Sequence, residues 1–268
     1  MKNRRFIILL IILSLLITGC SKFDDLTTNI AETILEDTKE EIETPKENLP
    51  KEVAQETEQE ETQIEEEKEE EIEELKPLAT IRVHFIDVGQ GDSVLIQAPS
   101  SNILIDGGER NSGVVDYLNS IGIKELDMVI GTHAHADHIG GLIDVLNSFK
   151  VREVIDPGAI HTTRTFEEYL MTIDKLNIKF TEGRAGMVRD LGDEVKLEIL
   201  HPAHVNTDKV NNTSIVTRLT YGKVSFLFTG DAEVEAEEEI LSRDQNIKST
   251  ILKVGHHGSN TSTSSEFL

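Results

Sequence analysis

Hydrophobic and polar residues are arranged in three different ways along the 268-residue chain. Residues 6–17 are apolar except for Ser14, residues 21–78 contain few apolar residues, and residues 79–268 alternate between short apolar runs and turn-forming residues. A segment with few apolar residues cannot bury enough surface to offset the entropy that it loses on ordering. We therefore predict three parts, 1–19, 20–78 and 79–268, with the folded domain in the last.

Within 79–268 the apolar runs predict several strands first and then a mixture of strands and helices. We predict strands near 81–88, 93–97, 102–105, 126–131, 153–156, 195–200, 214–221, 224–229 and 250–254. We predict helices near 112–121, 139–149, 165–175 and 232–243. This order favours an α+β fold in which two sheets pack together with helices outside them.

The N-terminal residues have the pattern of a bacterial secretion signal. Three basic residues precede an apolar run of about 12 residues, which is too short to span a hydrocarbon core of roughly 30 Å. The run ends at Leu16-Ile17-Thr18-Gly19-Cys20, which resembles a lipobox. This resemblance implies cleavage before Cys20, attachment of lipid to Cys20 and an anchor on the extracytoplasmic face of the cell membrane. The alternative is an uncleaved signal anchor.

Residues 20–78 carry most of the negative charge of the chain, whose net charge is −24. Residues 21–78 contain 22 Asp or Glu and 6 Lys, and Pro45, Pro50 and Pro77 interrupt any long helix. We predict a disordered tether that holds the folded domain away from the membrane, with a short helix over 51–75 as the alternative. The acidic chain also lacks the basic cluster typical of sequence-independent binding to nucleic acid.

Four potential metal ligands occur within six residues of the predicted domain. They are His133, His135, Asp137 and His138. Imidazole and carboxylate groups are common ligands of Zn²⁺, and a lone histidine without a metal role does not explain four such residues together. Gly131, Gly140 and Gly141 flank the cluster, which we interpret as a loop that bends around an ion.

The motif His-x-His-x-Asp-His after a short strand resembles the signature of the metallo-β-lactamase superfamily. This resemblance implies an αββα sandwich and two divalent metal ions, with zinc as the first choice and manganese as the alternative. It assigns His133 and His135 to one ion, Asp137 and His138 to the other, and Asp231 to both. A final ligand matches His256 or His257, with a weak preference for His257, and Asp106 matches an aspartate that supports the site.

Further motifs indicate a narrower resemblance over residues 80–268. They are Phe85-Ile86-Asp87-Val88-Gly89-Gln90-Gly91-Asp92-Ser93, Ile105-Asp106-Gly107-Gly108 and Leu252-Lys253-Val254-Gly255-His256-His257-Gly258-Ser259. Together they look like the hydrolase domain of ComEC competence proteins. No multi-helix channel segment is present in the sequence, so this chain alone is not expected to translocate DNA.

The sequence departs from the superfamily pattern at two places. Asn212 stands where a third histidine of the first metal is usual, and we expect it to support a weaker or manganese-tolerant site. His201 and His204 lie nearby, and we interpret them as structural or exposed. The chain also ends at Leu268, where the family has further strands, so we expect the final elements of the domain to be missing.

The predicted chemistry is metal-assisted hydrolysis by a metal-bridging hydroxide. We expect Asp137 to orient the attacking water or relay its proton, and His256 and Ser259 to contact the phosphate. The ComEC resemblance favours a phosphodiester substrate, either a small molecule or a nucleic acid. The alternatives are hydrolysis of a lactone, thioester or β-lactam, and a degenerate binding or accessory protein. The lipid bilayer is the other expected partner, and no protein partner is indicated.

Overall fold

In residues 80–205 and 208–268, which the computed structural model describes, the chain forms two β-sheets flanked by helices. The first sheet contains, in order, β1 (Arg82–Phe85), β2 (Val94–Ala98), β3 (Ser101–Ile105), β4 (Glu125–Ile130), β5 (Lys150–Asp156) and β6 (Lys179–Glu182). The second sheet contains, in order, β11 (Ile251–Lys253), β10 (Val224–Phe228), β9 (Val216–Tyr221), β8 (Val195–His201) and β7 (Val188–Asp190). The helices are α1 (Val114–Ser120), α2 (Ala136–Ser148), α3 (Arg164–Lys175) and α4 (Val234–Ser242).

Each sheet contains both antiparallel and parallel neighbours. In the first sheet β1, β2 and β3 are antiparallel, whereas β3, β4, β5 and β6 are parallel. In the second sheet only β10 and β11 are parallel. The carboxyl ends of parallel strands meet at one edge of a sheet, so the residues that follow β3 and β4, or β10 and β11, become neighbours.

Three apolar cores divide the domain into four layers. One core lies between the first sheet and helices α1, α2 and α3, and includes Leu104, Leu142 and Tyr169. The second lies between the two sheets and includes Ile103, Leu219 and Phe228. The third lies between the second sheet and α4. Because strands alternate their side chains between two faces, each sheet is able to supply two of these cores. The predicted α+β sandwich is confirmed.

Helix α2 begins earlier than the hydrophobic pattern predicts. It starts at Ala136, so Asp137 and His138 lie in its first turn. Gly140 and Gly141 are buried inside this helix, and a Cβ atom on Gly141 would lie 2.0 Å from the carbonyl oxygen of Gly107. Our interpretation of these glycines as part of a bending loop is therefore wrong. They allow close contact between α2 and the segment after β3.

Several expectations fall on the N-terminal part of the sequence. The signal, the lipid attachment at Cys20 and the acidic tether lie outside the described residues. Within 80–205 and 208–268, the structure contains no helix with the length and hydropathy needed to cross a bilayer. The expected absence of final elements after Leu268 stays a prediction.

Candidate metal centre

The polar cluster lies where strands of both sheets end. Asp106 follows β3, and its backbone N–H donates to the carbonyl of Ile130 at the end of β4, at 2.9 Å. Asp231 follows β10, and the N–H of His256, after β11, donates to the carbonyl of Gly230 at 3.1 Å. The topology therefore brings residues separated by more than 100 positions to one edge of the sandwich.

One group of possible ligands consists of His133, His135 and Asp231. Their ligand atoms all lie within 4.8 Å of one another. His133 Nε2 lies 3.0 Å from His135 Nδ1 and 3.8 Å from Asp231 Oδ2. Burial lowers the pKa of His133 well below its usual value, and nearby histidines add to the effect. The ring is therefore neutral, which is the form of imidazole that binds a metal.

The orientation of His133 is fixed from the opposite side of its ring. Thr132 Oγ1 lies 3.1 Å from His133 Nδ1, and Ser214 Oγ lies 3.4 Å from the same nitrogen. Ser214 Oγ also accepts a hydrogen bond from the backbone N–H of Asp231 at 3.1 Å. These contacts leave His133 Nε2 facing the group and tie its position to that of Asp231.

A second group shares Asp231 with the first. It consists of Asp92, His138, Asp231 and His257, whose ligand atoms also lie within 4.8 Å of one another. His138 Nε2 lies 3.2 Å from Asp231 Oδ1, and His257 Nε2 lies 3.4 Å from Asp231 Oδ2. The Asp231 side chain is only 2% exposed. Its two oxygens face His138, from the helix that follows β4, and His257, from the segment that follows β11.

Asp137, which the resemblance assigns to the second ion, lies at the open side of this second group and is not among the ligand atoms that lie within 4.8 Å of one another. Its Oδ2 is 3.5 Å from His257 Nε2 and accepts a hydrogen bond from Gln90 Nε2 at 3.2 Å. Partial burial raises the pKa of Asp137, but the charge of His138 and the bond from Gln90 outweigh it and leave the pKa lowered. Asp137 is thus a carboxylate at neutral pH, at the positive end of the α2 dipole.

Asp106 fixes His138 from behind. Asp106 Oδ2 is 2.8 Å from His138 Nδ1 and accepts from Thr132 Oγ1 at 2.7 Å, while Asp106 Oδ1 accepts from the Thr132 N–H at 2.8 Å. Burial opposes protonation of His138, but Asp106 and Asp231 outweigh it and raise its pKa to about 10. The predicted supporting position of Asp106 agrees with this arrangement.

The two histidines that the sequence could not separate have different surroundings. His257 faces Asp231 and Asp137. His256 Nδ1 lies 3.1 Å from Thr261 Oγ1 and 3.3 Å from Glu233 Oε1, although His256 Nε2 is still 3.8 Å from Asp231 Oδ2. Both residues have a left-handed backbone, with φ values of 45° and 53°. The geometry places His257 in the second group and His256 at its rim.

Asn212 does not face either group. Its Oδ1 accepts from the N–H of Glu233 at 2.9 Å and its Nδ2 donates to Glu235 at 3.0 Å, so the side chain stabilises the start of α4. The neighbouring Asn211 lies closer to the rim, with Nδ2 3.5 Å from His256 Nδ1. His201 is buried, with Nδ1 2.8 Å from the carbonyl of Ser214, and His204 is exposed. Both agree with their predicted structural or exposed placement.

Our sequence interpretation missed two site residues, Gln90 and Asp92. The Gly-Gln-Gly-Asp segment contributed to the ComEC resemblance, but its residues were interpreted only as a turn. In the structure the turn packs on the start of α2, and Asp92 contacts His257. A polar motif between two strands was the available signal, but its distance in sequence from His257 concealed the contact.

The donor set fits two divalent ions. It offers imidazole nitrogens and carboxylate oxygens, which are the usual ligands of zinc. His138 Nε2 and Asp231 Oδ1 are buried and lie 3.2 Å apart as an ion pair, but neither atom makes a hydrogen bond of suitable geometry. Unpaired buried polar atoms are costly, and a bound cation between them would satisfy both. The two groups share one carboxylate, which is an arrangement suited to a pair of ions.

Comparison with known proteins connects this geometry to a family. The model of the metallo-beta-lactamase superfamily matches residues 86–268. ComE operon protein 3 of Bacillus subtilis is 34% identical over 206 residues, which are 69% of this chain and 26% of that protein. Competence protein ComA of Neisseria gonorrhoeae is 32% identical over 188 residues, 68% of this chain and 24% of that protein. The chain therefore spans about a quarter of the length of these relatives.

Among solved structures, one that aligns with part of this chain is a HARLDQ motif mutant of a metallo-beta-lactamase from Cronobacter sakazakii. It aligns with 63% of this chain and 73% of its own, at 17% identity and a TM-score of 0.46. The family model covers more than half of the sequence, and the relatives confirm the predicted resemblance to competence proteins. This chain belongs to the metallo-beta-lactamase superfamily.

Proposed function

We propose that this protein is a metal-dependent hydrolase that cleaves phosphodiester bonds. The observation that carries the proposal is the position of Asp231, whose Oδ1 faces His138 and whose Oδ2 faces His133 and His257. Two divalent ions bound there would activate water and polarise the oxygens of the scissile group. His133 and His135 would hold one ion, His138 and His257 would hold the other, and Asp231 would contact both.

Asp137 is suited to handle the proton of the attacking water. The Asp137 side chain is 22% exposed. Its Oδ2 accepts a hydrogen bond from Gln90 and faces the site beside His257. Because its pKa is lowered, this oxygen is unprotonated at neutral pH and is able to accept a proton. Gln90 would hold the carboxylate in place while it does so.

His256 is placed to contact the substrate at the rim. Its side chain is 30% exposed, and Thr261 and Glu233 hold its Nδ1 side. The other ring nitrogen, His256 Nε2, does not take part in these contacts and faces Asp231 at 3.8 Å. A hydrogen bond from His256 to a phosphoryl oxygen is consistent with this position, and Ser259, whose Oγ is 3.0 Å from Thr261 Oγ1, lies in the same segment.

The choice of a phosphodiester rests on the relatives. Fold alone does not identify a substrate. The similarity to competence proteins, together with the ComEC resemblance of the separated motifs, supports a nucleic acid or another phosphodiester over a lactone, thioester or β-lactam. Zinc is the first choice of metal on the donor set, and manganese is the alternative.

The proposal is tested with the full chain, loaded separately with Zn²⁺ and Mn²⁺. The substrates are bis-p-nitrophenyl phosphate, nitrocefin and a lactone, and bound metal is counted by mass spectrometry. We expect two ions per chain and turnover of the phosphodiester alone, which Asp137→Ala reduces by about 100-fold or more. Turnover of nitrocefin or the lactone alone would identify a different hydrolase, and two bound ions without turnover would indicate a binding protein.

We further propose that the protein is held at the extracytoplasmic face of the membrane through lipid on Cys20. The basic residues, the short apolar run and the lipobox-like sequence support this proposal. Mass spectrometry of the mature N-terminus tests it. A lipid-modified Cys20 as first residue is expected, whereas a mature protein that retains Met1 would overturn the proposal.

A further inference from the structure

The His257 ring has carboxylates at both of its nitrogens. Nε2 lies 3.4 Å from Asp231 Oδ2 and 3.5 Å from Asp137 Oδ2, whereas Nδ1 lies 3.4 Å from Asp92 Oδ1. A neutral imidazole has one N–H and one lone pair, and the partner of one nitrogen decides which form is present. When a cation occupies the side of the ring that faces Asp231, the carboxylate of Asp92 favours the proton on Nδ1 and leaves the lone pair on Nε2 for the cation.

The other oxygen of Asp92 faces a cation, although it makes no hydrogen bond of suitable geometry. Asp92 Oδ2 lies 2.5 Å from Lys253 Nζ, and the two side chains are only 11% and 15% exposed. A carboxylate with so little exposure needs a partner, and Lys253 balances its charge. Lys253 is the last residue of β11, four positions before His257, so this ion pair also fixes the strand that delivers His257.

The backbone around Asp92 is held against the metal centre. The Gly108 N–H donates to the carbonyl of Asp92 at 2.9 Å, and the Asp92 N–H approaches the carbonyl of Asp137 at 3.4 Å. At Gly91 a Cβ atom would lie 1.9 Å from that same Asp137 oxygen. Only glycine permits so close an approach, so the turn is built to bring Asp92 beside the start of α2.

We propose that Asp92 is a positioning residue that keeps the proton of His257 on Nδ1 and thereby presents Nε2 to the second metal ion. The inference rests on the proposed metal centre but not on the identity of the substrate. Asp92 is near enough to His138 and Asp231 to be considered as a direct ligand. Its contacts favour the positioning role, because one oxygen faces Lys253 and the other faces the His257 nitrogen that is turned away from Asp231.

Zinc titration of the full chain, with a competing chelator, tests this role. We compare the native chain with Asp92→Ala, Asp92→Asn and the control Asp87→Ala. Asp87 lies in the same turn, is exposed, and accepts only from the Gly89 N–H among the contacts that the structure describes. We expect Asp92→Ala to weaken the second zinc by about 10–100-fold and to leave the first unchanged. Asp92→Asn is made together with Lys253→Met, so that no ammonium competes for its single oxygen; it keeps an acceptor for the His257 N–H and should retain most of the affinity, as should Asp87→Ala.

Nitrogen-15 NMR of the histidine rings shows which nitrogen of His257 carries the proton. A purely structural role of Asp92 would leave that position unchanged. In the zinc-loaded native chain we expect a protected N–H on His257 Nδ1, retained in Asp92→Asn and lost in Asp92→Ala. Equal loss of affinity in both Asp92 variants would show a direct ligand and overturn the proposal. Unchanged zinc affinity in Asp92→Ala, or a proton on Nε2 in the native chain, would overturn it as well. None of these outcomes depends on hydrolysis, so they are distinguishable from failure of the proposed activity.

Discussion

Asp106 and His138 form a buried pair in which Oδ2 lies 2.8 Å from Nδ1 and neither side chain is exposed to solvent. The pair lies behind the metal centre, because the opposite nitrogen of His138 faces Asp231. A carboxylate behind a ligating histidine fixes the ring and raises its basicity. The position of this ring therefore depends on a residue that follows β3, 32 positions earlier in the chain.

Replacement of Asp106 tests that dependence. We expect Asp106→Ala to weaken binding of the second zinc by about 10–100-fold. Loss of the acceptors for Thr132 and His138 should also lower the free energy of unfolding by about 1–3 kcal/mol for each buried group left unpaired. Zinc titration and urea unfolding measure the two effects. The control Asp144→Ala removes a carboxylate from the outer face of α2, the helix that carries His138, and should leave zinc binding unchanged. Equal zinc affinity in both variants would contradict the role of Asp106.

Metal loading should release a proton from His138. Its pKa is raised to about 10, so the folded metal-free chain carries a proton there at pH 8, whereas a ligating imidazole must be neutral. We expect release of about one proton from this ring when the second ion binds. Calorimetry at pH 8 in buffers with different ionisation enthalpies measures this proton.

The raised pKa of His138 also predicts how the stability of the metal-free chain depends on pH. The folded pKa of His138 lies above the usual 6.5, so its contribution to stability is fully present below about pH 6.5 and is lost as pH rises through about 10. His138→Asn should flatten the stability profile over that interval. Binding without proton release in the native chain, or an unchanged profile in the variant, would contradict the expected protonation.

Asp156 should destabilise the domain as pH rises. Burial raises the pKa of Asp156 to about 7, against the lowering effect of its bond from the Gly158 N–H, and Asp106 and Glu182 add to the rise. The folded chain then binds the proton more tightly than the unfolded chain, so this contribution to stability is present below about pH 4 and is lost as pH approaches and passes 7.

Asp156→Asn keeps the acceptor for Gly158 and removes the ionisation. We expect a higher Tm than the native chain at pH 8, by about 2–4 °C for each kcal/mol gained, and a smaller difference at pH 5. Asp190→Asn is a matched control, since exposed Asp190 accepts from the Gly192 N–H in the same way at 2.9 Å. A pH-independent difference between the native and Asp156→Asn chains would refute the explanation.

Gly91→Ala should disturb the metal centre, because its Cβ would lie 1.9 Å from the carbonyl oxygen of Asp137. We expect the turn to move, the second zinc to bind more weakly and the free energy of unfolding to fall by more than about 2 kcal/mol. Gly89→Ala provides the comparison. Gly89 also has a positive φ, of 72°, but its Cβ would meet nothing within 4 Å, so it should cost only about 1–2 kcal/mol. Equal effects of both changes on zinc affinity would rule out the steric cause.

Asn212→Ala should affect α4 and leave the metal centre intact. It removes the acceptor for the Glu233 N–H at the start of the helix, and loss of such a cap costs about 1 kcal/mol. Urea unfolding should show this loss, while zinc titration should show two ions with unchanged affinity. His133→Ala serves as the comparison that loses the first ion. Loss of the first ion in Asn212→Ala would restore the role that the sequence suggested for this residue.

The succession of most strands along the chain could be predicted because it depends on local hydrophobic patterns, whereas Asp231 and His257 were assigned from the family resemblance. Apolar runs identify β2, β3, β4, β9 and β10, whose residues are mostly buried. Strands β6 and β7 were missed because both are short, lie at sheet edges and are largely exposed. At such positions the strand is stabilised by backbone pairing with its neighbour and has no hydrophobic pattern that would reveal it in the sequence.

The remaining errors concern contacts between distant segments. The pattern could not show that Asp92 meets His257, or that Asn212 turns toward Glu233, because both contacts depend on how the sheets pack. It also placed the start of α2 at 139 instead of Ala136, since Asp137 and His138 are weak helix formers and were interpreted as loop residues. Tertiary contacts there outweigh local propensity.

The candidate ligands are divided between the two halves of the domain. His133, His135 and His138 belong to the first sheet and its helix, whereas Asp231 and His257 follow strands of the second. Neither half alone provides a complete set for either ion. Metal ions bound to this set would therefore act as cross-links between the sheets, and their release should weaken the attachment of one half to the other. In a cell, the supply of metal would then control how long the folded domain survives proteases, as well as whether it is active.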